Sequence, residues 1–393
     1  MKDKALPEGW NKINITKVFT QISTTGKNIA TKDCLSVGKY PVIDQGAEYI
    51  SGYFNDETKV IPVENKVIVF GDHTRNFKLI DFDFIVGADG VKIFQPAKDI
   101  DPDFFYYQCL SLNLPNKGYH RHFRYLKECD FIYPSFSQQQ KLAKKFTALL
   151  SQVAEIKQRL EKIPALLKTY RQSVLARAVN GELTNNGILF IKCKLKDIFT
   201  FIDGDRSSNY PKKEEYLSEG HCLFLSTKNV RHYGFDFSEQ IYISKEKGEI
   251  LRKGKLERGD LIITTRGTLG NVAIYDDTVK FEHIRINSGM LILRLQNQKF
   301  QNEYFKILIA SPVFQSLILE KQTGSAQPQL PAGILKEFEV PIPNIEQQKQ
   351  ITQAVEKHLN FANQLEAQVN AALERINLMT QAILAKGFRG ELL

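Results

Sequence analysis

The chain has 393 residues, more than one ordinary hydrophobic core accommodates, so its length predicts at least two domains. Its composition is typical of a globular protein; no apolar run approaches the roughly 20 residues of a membrane span, and the start, MKDKALPEGW, lacks a signal peptide's apolar stretch, so we expect a cytoplasmic protein without membrane contact. Five cysteines without any Cys-x-x-Cys argue against a disulfide framework or a zinc site, and the net charge of +9 favours a polyanionic partner.

The first predicted globular segment, residues 1–134, contains short β-rich runs separated by glycine-rich turns. The runs KVIVF and KLIDFDFIV are predicted strands, and the turn between them presents polar and basic side chains. Such side chains suit DNA, because Arg or Lys donates to guanine and Asn pairs with adenine. The candidate DNA contacts in this turn are His73, Thr74, Arg75, Asn76 and Lys78. A solvated hairpin explains the same residues equally well.

The stretch KGYHRHFRYLK interleaves cations with aromatic residues later in the same segment. Cations bind phosphates, whereas aromatic side chains stack on bases or, more often, belong to the core. The candidate DNA contacts here are Lys117, Tyr119, His120, Arg121 and Arg124. His120 and His122 are spaced like metal ligands, but no third acidic or thiolate ligand stands nearby, so we predict no metal site.

Two long amphipathic helices are predicted, one in the middle of the chain and one at its end. Apolar residues recur at alternating steps of four and three from Leu142 to Val174, and the same alternation returns 209 residues later. The predicted helix seam consists of Leu142, Phe146, Leu149, Val153, Ile156 and Leu160 in the first helix and Ile351, Val355, Leu365, Val369, Ile376 and Ile383 in the second. Pro164 interrupts the first seam, and His358 and Ala362 weaken the second.

The second globular segment, residues 185–340, offers four polar stretches rich in glycine: FIDGDRSSNYP, FLSTKNVRHYGF, ITTRGTLGNVAIY and QTGSAQPQLP. Glycine allows the backbone to approach a ligand closely, and the neighbouring polar side chains suit bases or phosphates. The candidate DNA contacts are Arg206, Ser207, Lys228, Asn229, Arg231, Arg266, Thr268, Asn271, Ser325, Gln327 and Gln329.

The helix repeat extends into the globular segments, which indicates a tandem duplication. A proline-bearing stretch and a Gln-Gln-Lys motif precede both helices, YLKECDF parallels ILKEFEV, and NITKVFTQI parallels KLKDIFTFI. The predicted domains are 1–134 and 185–340, and the predicted spacer helices are 135–184 and 341–393. We therefore predict an α+β protein in which two mixed α/β domains are separated by two long helices, packed as an antiparallel coiled coil under a pseudo-twofold axis.

Charge and missing motifs favour a binding protein over an enzyme. Residues 136–184 carry an excess of six positive charges, placed where they suit either DNA phosphates or a partner protein. The chain lacks a Gly-x-Gly-x-x-Gly fingerprint, a Walker loop, a Gly-x-Ser-x-Gly motif and the Pro-Pro-Tyr/Phe run of amino-methyltransferases. The alternatives are a fused modification enzyme that uses S-adenosylmethionine and a coiled-coil scaffold that presents two protein-binding domains.

Nearly the whole chain resembles the specificity subunits of type I DNA restriction-modification systems. The resemblance rests on the order of LPEGW, GADGVKI, TTRGTLGN, INSGMLILR and TGSAQPQL, on the Gln-Gln-Lys helix starts, and on the two Leu-Ala-(Arg/Lys)…Gly-Glu-Leu helix ends. The stretch before the second helix, PIPNIEQQK, is close to the family pattern, whereas the first, YPSFSQQQK, departs from it.

The resemblance implies a target recognition function. Each domain is expected to read one half of a bipartite, asymmetric site in double-stranded DNA, and the helices are expected to set the unread gap and to dock two methyltransferase subunits. Motor-nuclease subunits are expected to join for cleavage. The chain itself is expected to be non-catalytic and to bind no cofactor, with S-adenosylmethionine, ATP and Mg²⁺ on the partner subunits. The two globular segments lack general similarity, which implies different half-sites.

Overall fold

A computed structural model describes residues 6–87, 89–184, 187–324 and 327–393. The chain forms two compact units: one comprises Met1–Glu161 with Asn370–Leu393, and the other comprises Lys162–Val369. The predicted boundaries treat each long helix as a separate segment, whereas each helix contributes one part to each unit.

The first half of the chain contains a series of short strands, two short helices and one long helix. In chain order these are β1 (Asn11–Asn14), β2 (Phe19–Ile22), β3 (Asn28–Ile29), β4 (Tyr40–Ile43), β5 (Gly52–Phe54), β6 (Val60–Ile61), β7 (Val67–Gly71), β8 (Phe77–Ile80), β9 (Phe84–Gly87), β10 (Val91–Pro96), α1 (Pro102–Ser111), α2 (Phe123–Lys127), β11 (Asp130–Tyr133) and α3 (Phe136–Val179).

The second half repeats this plan with additional helices. In chain order its elements are β12 (Ile191–Lys194), β13 (Phe199–Asp203), β14 (Cys222–Leu225), β15 (Val230–Arg231), β16 (Gly234–Phe235), β17 (Tyr242–Ile243), α4 (Lys245–Ile250), β18 (Leu261–Thr264), β19 (Val272–Ile274), β20 (Ile284–Ile286), β21 (Met290–Leu295), α5 (Asn302–Ala310), α6 (Pro312–Lys321), α7 (Ala332–Lys336), β22 (Glu339–Ile342) and α8 (Ile345–Gly387). Among the described residues, no helix combines the length and the hydropathy that a membrane span requires.

The strand order confirms that the two domains share one fold. A four-stranded antiparallel sheet has the order β2-β10-β7-β8 in the first domain and β13-β21-β18-β19 in the second. A two-stranded sheet pairs β1 with β11 and, equivalently, β12 with β22. In a further sheet of each domain, β4 pairs with β9, and β14 pairs with β20, in parallel. Sheets of mixed direction beside separate helices make this an α+β fold, as predicted.

The ends of the long helices complete the domain cores. In the first unit, Leu142 and Phe146 of α3 join Leu384 of α8 and Phe388 in the core that contains Phe104. The ring of Phe388 lies 5.2 Å from that of Phe146 and 5.5 Å from that of Phe104, between ring centroids. The start of α3 therefore packs beside the end of α8, which is an antiparallel arrangement.

The second unit shows the same arrangement with the roles of the helices exchanged. Val174 and Ala178, near the end of α3, share a core with Ile351 and Val355, near the start of α8. The hydroxyl of Tyr170 lies 2.6 Å from Nδ1 of His358, so the His358 position that weakens the apolar seam is occupied by a polar pair. The predicted antiparallel packing of the helices is thus confirmed within each unit.

The predicted seam positions differ in burial. Leu142, Phe146, Val153, Ile351, Val355, Val369 and Ile376 are buried, and Leu149, Leu160, Leu365 and Ile383 are half-buried. Ile156 is 47% exposed, so its assignment to the seam is corrected. Ile156 lies five residues before Glu161, the border of the first unit, and beyond the α3 residues that join the first core. Pro164 lies inside α3 without ending it.

The Gln-Gln-Lys motif at the start of each long helix has a structural role. Gln139 is buried; its amide oxygen accepts from the N–H of Asp101 at 3.0 Å, and its nitrogen donates to the carbonyls of Asp99 at 3.2 Å and Pro134 at 3.1 Å. These bonds tie the stretch before α1 to the start of α3.

Gln348 makes the equivalent three bonds in the second unit. It accepts from the N–H of Gln301 at 2.9 Å and donates to the carbonyls of Lys299 at 3.5 Å and Pro343 at 2.9 Å. The repeated motif therefore fastens each long helix to the domain that precedes it.

Gly387 is expected to resist substitution, because a Cβ at this position would collide with the Phe146 ring. Gly387→Ala is therefore expected to destabilise the first unit by about 1–3 kcal/mol through overpacking, although alanine normally favours a helix interior over glycine by about 1 kcal/mol. Gly333→Ala in α7, where a Cβ meets nothing within 4 Å, is the matched control and is expected to stabilise. Urea unfolding measures the change in the free energy of unfolding for both variants, and we expect opposite signs. Changes of the same sign would contradict the packing argument.

Candidate nucleic-acid interface

The turn between β7 and β8 is held by a residue from a distant loop, Gln45. The Thr74 hydroxyl donates to the Gln45 carbonyl at 2.5 Å, and the Asn76 side chain donates to the same carbonyl at 3.1 Å. The side-chain oxygen of Gln45 accepts from the N–H of His73 at 3.2 Å. Arg75 has a φ of 65°, and its guanidinium donates to the Leu114 carbonyl at 3.2 Å. The turn is therefore fixed before any ligand binds.

The second predicted stretch of the first domain is brought against this turn. The buried carboxylate of Asp72 accepts from the N–H of Phe123 at 2.7 Å, and the Asp72 carbonyl accepts from the N–H of His122 at 2.8 Å. The rings of His73 and Tyr119 stack with centroids 4.3 Å apart, and Tyr119 is 83% exposed. Residues separated by more than 40 positions therefore form one surface.

His122 is part of the scaffold of this surface. It is fully buried, its Nδ1 lies 3.0 Å from the Asp72 carbonyl, and its Nε2 accepts from the N–H of Lys117 at 3.4 Å. Both ring nitrogens thus have partners within the protein. Among the described residues, no group of three His, Cys, Asp or Glu side chains is arranged to hold a metal ion.

The exposed side chains of this surface carry its charge. Thr74, Lys117, Tyr119, His120, Arg121 and Arg124 are exposed, whereas His73, Arg75 and Asn76 are half-buried. Arg124 lies over the ring of Tyr125, 4.5 Å from its centroid, which leaves its charge at the surface.

Lys78 is a correction to the predicted set. It is 5% exposed, and its ammonium group donates to the Glu48 carbonyl at 2.5 Å and lies 3.5 Å from the Asp44 carboxylate. Burial lowers the pKa of Lys78, opposed by the charge of Asp44. Because side chains alternate along a strand, Lys78 on β8 points into the domain and is not available to DNA.

In the second domain, three loops meet around the turn between β18 and β19. The N–H groups of Thr265 and Arg266 donate to the Gly289 carbonyl at 2.8 and 3.2 Å. Arg266 also forms a β-bridge with Gln329. The Asn271 side chain donates to the Val230 carbonyl at 2.8 Å, which joins the turn to the loop that contains Lys228 and Arg231.

Asn229 is the second correction, because its side chain holds this loop together. It is 5% exposed, accepts from the N–H of Ser226 at 2.9 Å, and donates to the carbonyls of Asp236 at 3.1 Å and Glu239 at 2.6 Å. Its amide therefore has no free group for a base.

The neighbouring cations Lys228 and Arg231 are exposed but already paired. Lys228 lies 3.1 Å from Glu239, and Arg231 lies 3.0 Å from Asp236. Exposed ion pairs are weak, so a DNA phosphate can exchange with these carboxylates.

The stretch 203–207 adds a third part to this surface. Arg206 is exposed, and its guanidinium lies 3.4 Å from the Ser288 carbonyl, beside the Gly289 connection. The Ser207 hydroxyl donates to the Asp205 carboxylate at 2.5 Å, and Asp205 also accepts from the N–H groups of Arg252 at 2.7 Å and Lys253 at 3.3 Å. Asp205 therefore organises this loop through bonds to both of its neighbouring segments.

Asp205 is expected to make stability depend on pH. Burial raises its pKa, but the bonds from Ser207, Arg252 and Lys253 outweigh this and hold the pKa at about 2. Because this value lies below that of an unfolded aspartate, near 3.8, the stabilisation is present above about pH 4 and is lost as the pH falls towards 2. Asp205→Ala is expected to lower the free energy of unfolding by about 1–2 kcal/mol at pH 7 and to change it little at pH 2.

Urea unfolding of the Asp205→Ala variant at the two pH values checks this expectation. The exposed Asp277→Ala serves as the charge-matched control. A pH-independent cost of Asp205→Ala would show that the carboxylate's charge is not the cause.

The remaining predicted residues fall at the edge of the second surface. Thr268 and Gln327 are exposed, Gln329 is half-buried, and Ser325 lies outside the described residues. Sequence reasoning missed the organising residues Gln45, Asp72 and Asp205. Of these, only Asp205 carried a local signal, the Asp-x-Ser spacing of an Asx turn.

Comparison with known proteins agrees with this architecture. The family model of the type I restriction modification DNA specificity domain matches residues 7–165 and 190–375. The chain is 32% identical over 277 residues to the type I restriction enzyme EcoBI specificity subunit of Escherichia coli, and 33% identical over 269 residues to the EcoKI specificity subunit of Escherichia coli strain K12. Each match covers 66% of this chain and 57% of the relative, so it spans less than two thirds of the relative's length.

The fold has a solved counterpart as well. The crystal structure of the HsdS subunit from Thermoanaerobacter tengcongensis is similar, with a TM-score of 0.63, 17% identity and 99% of each chain covered. Because the family model matches most of the residues, in both halves of the duplication, the chain belongs to the type I restriction-modification DNA specificity domain family.

Proposed function

We propose that this chain is the specificity subunit of a type I restriction-modification complex and reads a bipartite, asymmetric DNA site. One observation carries the proposal: around the same turn of the same four-stranded sheet, each domain gathers exposed polar and basic side chains from several loops, with different residues in each domain. Two different half-sites follow from one scaffold that carries two different sets of side chains. The names of the relatives, specificity subunits of type I restriction enzymes, support the same role.

The long helices are proposed to set the unread gap and to dock partner proteins. A continuous α-helix is stiff, so α3 and α8 can hold the distance between two reading surfaces constant. We further propose that two methyltransferase subunits bind this chain and that motor-nuclease subunits join them for cleavage. The chain itself is proposed to be non-catalytic and to bind no cofactor, with S-adenosylmethionine, ATP and Mg²⁺ held by those subunits.

Modified-base sequencing tests this function directly. DNA from cells that express the chain with its methyltransferase is compared with DNA from cells that lack only this chain. We expect a split motif of methylated adenines that disappears with the chain. Identical methylation patterns, with expression of both proteins verified, would contradict the proposal. A steep loss of DNA affinity with salt separates DNA reading from a protein scaffold, because phosphate contacts release counterions.

A further inference from the structure

The second domain contains a buried arginine at a position where the first domain has isoleucine. In the parallel strand pairs, Arg285 lies opposite Phe224 and Ile85 lies opposite Val42. The neighbours of Arg285 on its strand, Ile284 and Ile286, belong to the core of the four-stranded sheet, as Val86 does in the first domain, so Arg285 and Ile85 share the other face. Ile85 is fully buried in an apolar cluster with Val42, whereas Arg285 is 8% exposed. The shared fold therefore accommodates an apolar side chain here, and the second domain has a charge that the fold does not require.

The Arg285 guanidinium has no carboxylate partner within ion-pairing distance in the described part of the chain. It donates to the Lys253 carbonyl at 2.9 Å, and Asp205 acts on it only through longer-range charge. Burial lowers its pKa, because the charged form loses hydration. A buried cation that has one neutral acceptor destabilises the folded protein unless an anion binds next to it.

A pocket next to Arg285 has the chemistry to hold that anion. It has a volume of about 240 Å³. Its polar lining consists of His221, Lys245, Glu249, Lys255, His283 and Arg285, and Cys222, Gly248 and Ile284 complete the wall. Three permanent cations face one carboxylate. The rings of His221 and His283 stack with centroids 4.0 Å apart and add two N–H donors at the mouth. Lys245 and Lys255 are exposed and form no ion pair among the described residues.

A basic track connects this pocket with the reading surface of the same domain. Arg206 lies beside Ser288 at that surface, Asp205 ties its loop to the backbone of Arg252 and Lys253, and Arg285 binds the Lys253 carbonyl. The side chains of Arg252 and Lys253 are exposed. Ser288 follows Arg285 by three residues, about 10 Å of extended chain, which is less than the roughly 12 Å width of the major groove.

We infer that the Arg285 pocket is a phosphate site that holds a backbone phosphate of DNA while the loops of the second domain read bases. The inference rests on the proposed function, and it adds a contact that the first domain lacks, since Ile85 stands in the place of the arginine there. A phosphate in the pocket would pair with Arg285 and accept from Lys245, Lys255 and the histidines. Such a contact adds affinity without choosing bases.

The test uses the full chain and the substitution Arg285→Ile, which copies the first domain and is therefore expected to fold. Inorganic phosphate, compared with chloride at equal ionic strength, is expected to raise the thermal unfolding midpoint of the parent in a saturable manner and to have no such effect on the variant. For DNA that contains the methylated motif, we expect roughly tenfold weaker binding. The slope of log K against log salt should become shallower by about 1. The motif itself should stay unchanged.

Two further variants keep the result interpretable. Lys192→Gln removes one exposed charge outside the pocket and is expected to retain the phosphate response. The double variant Lys245→Gln with Lys255→Gln is expected to lose that response even if Arg285→Ile does not fold. Retained phosphate stabilisation and DNA affinity in all pocket variants would overturn the inference.

The phosphate measurement and the DNA measurement together distinguish a free anion from a DNA phosphate as the ligand of the pocket. If the pocket variants lose the phosphate response while the salt slope for DNA is unchanged, the site takes a free anion and its assignment to the DNA backbone is wrong. If the full chain with its methyltransferase binds no specific DNA, the proposed function and the DNA part of this inference both fail. The phosphate measurement then still decides whether the pocket is an anion site.

Discussion

Replacing Gln348 by alanine is expected to lower the free energy of unfolding of the second unit by about 2–4 kcal/mol. The substitution leaves the Gln301 N–H and the carbonyls of Lys299 and Pro343 without their partner inside the protein. Each buried, unsatisfied polar group costs about 1–3 kcal/mol, and these costs add only partly. Gln139→Ala is expected to have the same effect on the first unit, because its three bonds are equivalent.

The chain provides close controls for these variants. Gln140 and Gln350 stand one and two positions further along the same helices and are exposed, so their alanine variants are expected to change stability by less than about 0.5 kcal/mol. Urea unfolding measures all four variants. Gln348→Glu keeps an acceptor but loses both donated bonds, and it is expected to be no more stable than Gln348→Ala. Equal effects of Gln348→Ala and Gln350→Ala would show that the motif does not fasten the helix.

The duplicated architecture was predictable because its signals are local and repeated. A seam with alternating steps of three and four, returning after 209 residues, identifies both helices without knowledge of their packing. The parallel pairing of β14 with β20 was not predictable, because these strands lie about sixty residues apart and their pairing depends on tertiary contacts. The division of each helix between two units likewise depends on which core each end joins.

The candidate interface was predictable only as a set of loops. Residue type indicated that Lys78 and Asn229 suit DNA, but only strand alternation and loop geometry determine that both are buried. Gln45 and Asp72 organise the first surface through bonds to residues about thirty and fifty positions away, which no local motif reports. Arg285 lies in a short apolar strand and forms a pocket with residues up to 64 positions away, so no local pattern identifies it.

Lengthening both long helices by one heptad is expected to lengthen the unread gap by about three base pairs and to leave both half-sites unchanged. The insertions belong between Glu161 and Lys162 and between Val369 and Asn370, the borders of the two units. Seven residues add about 10 Å of helix, close to three base pairs at 3.4 Å each, and a whole heptad preserves the phase of the seam. Three base pairs also turn the duplex by roughly a third of a turn, so weaker binding is expected.

Modified-base sequencing measures the gap and the half-sites in the same experiment. Insertions of equal length elsewhere in the chain test whether a longer gap is caused by the longer helices. Seven residues inserted after Gln298, in an exposed loop of the second domain, are expected to leave the gap unchanged. A heptad inserted into α3 alone leaves α8 too short to match it, so we expect an unstable protein and a lost motif. Altered half-sites would contradict the separation of reading from spacing. An unaltered gap in the doubly lengthened chain would show instead that something other than the two helices sets the distance.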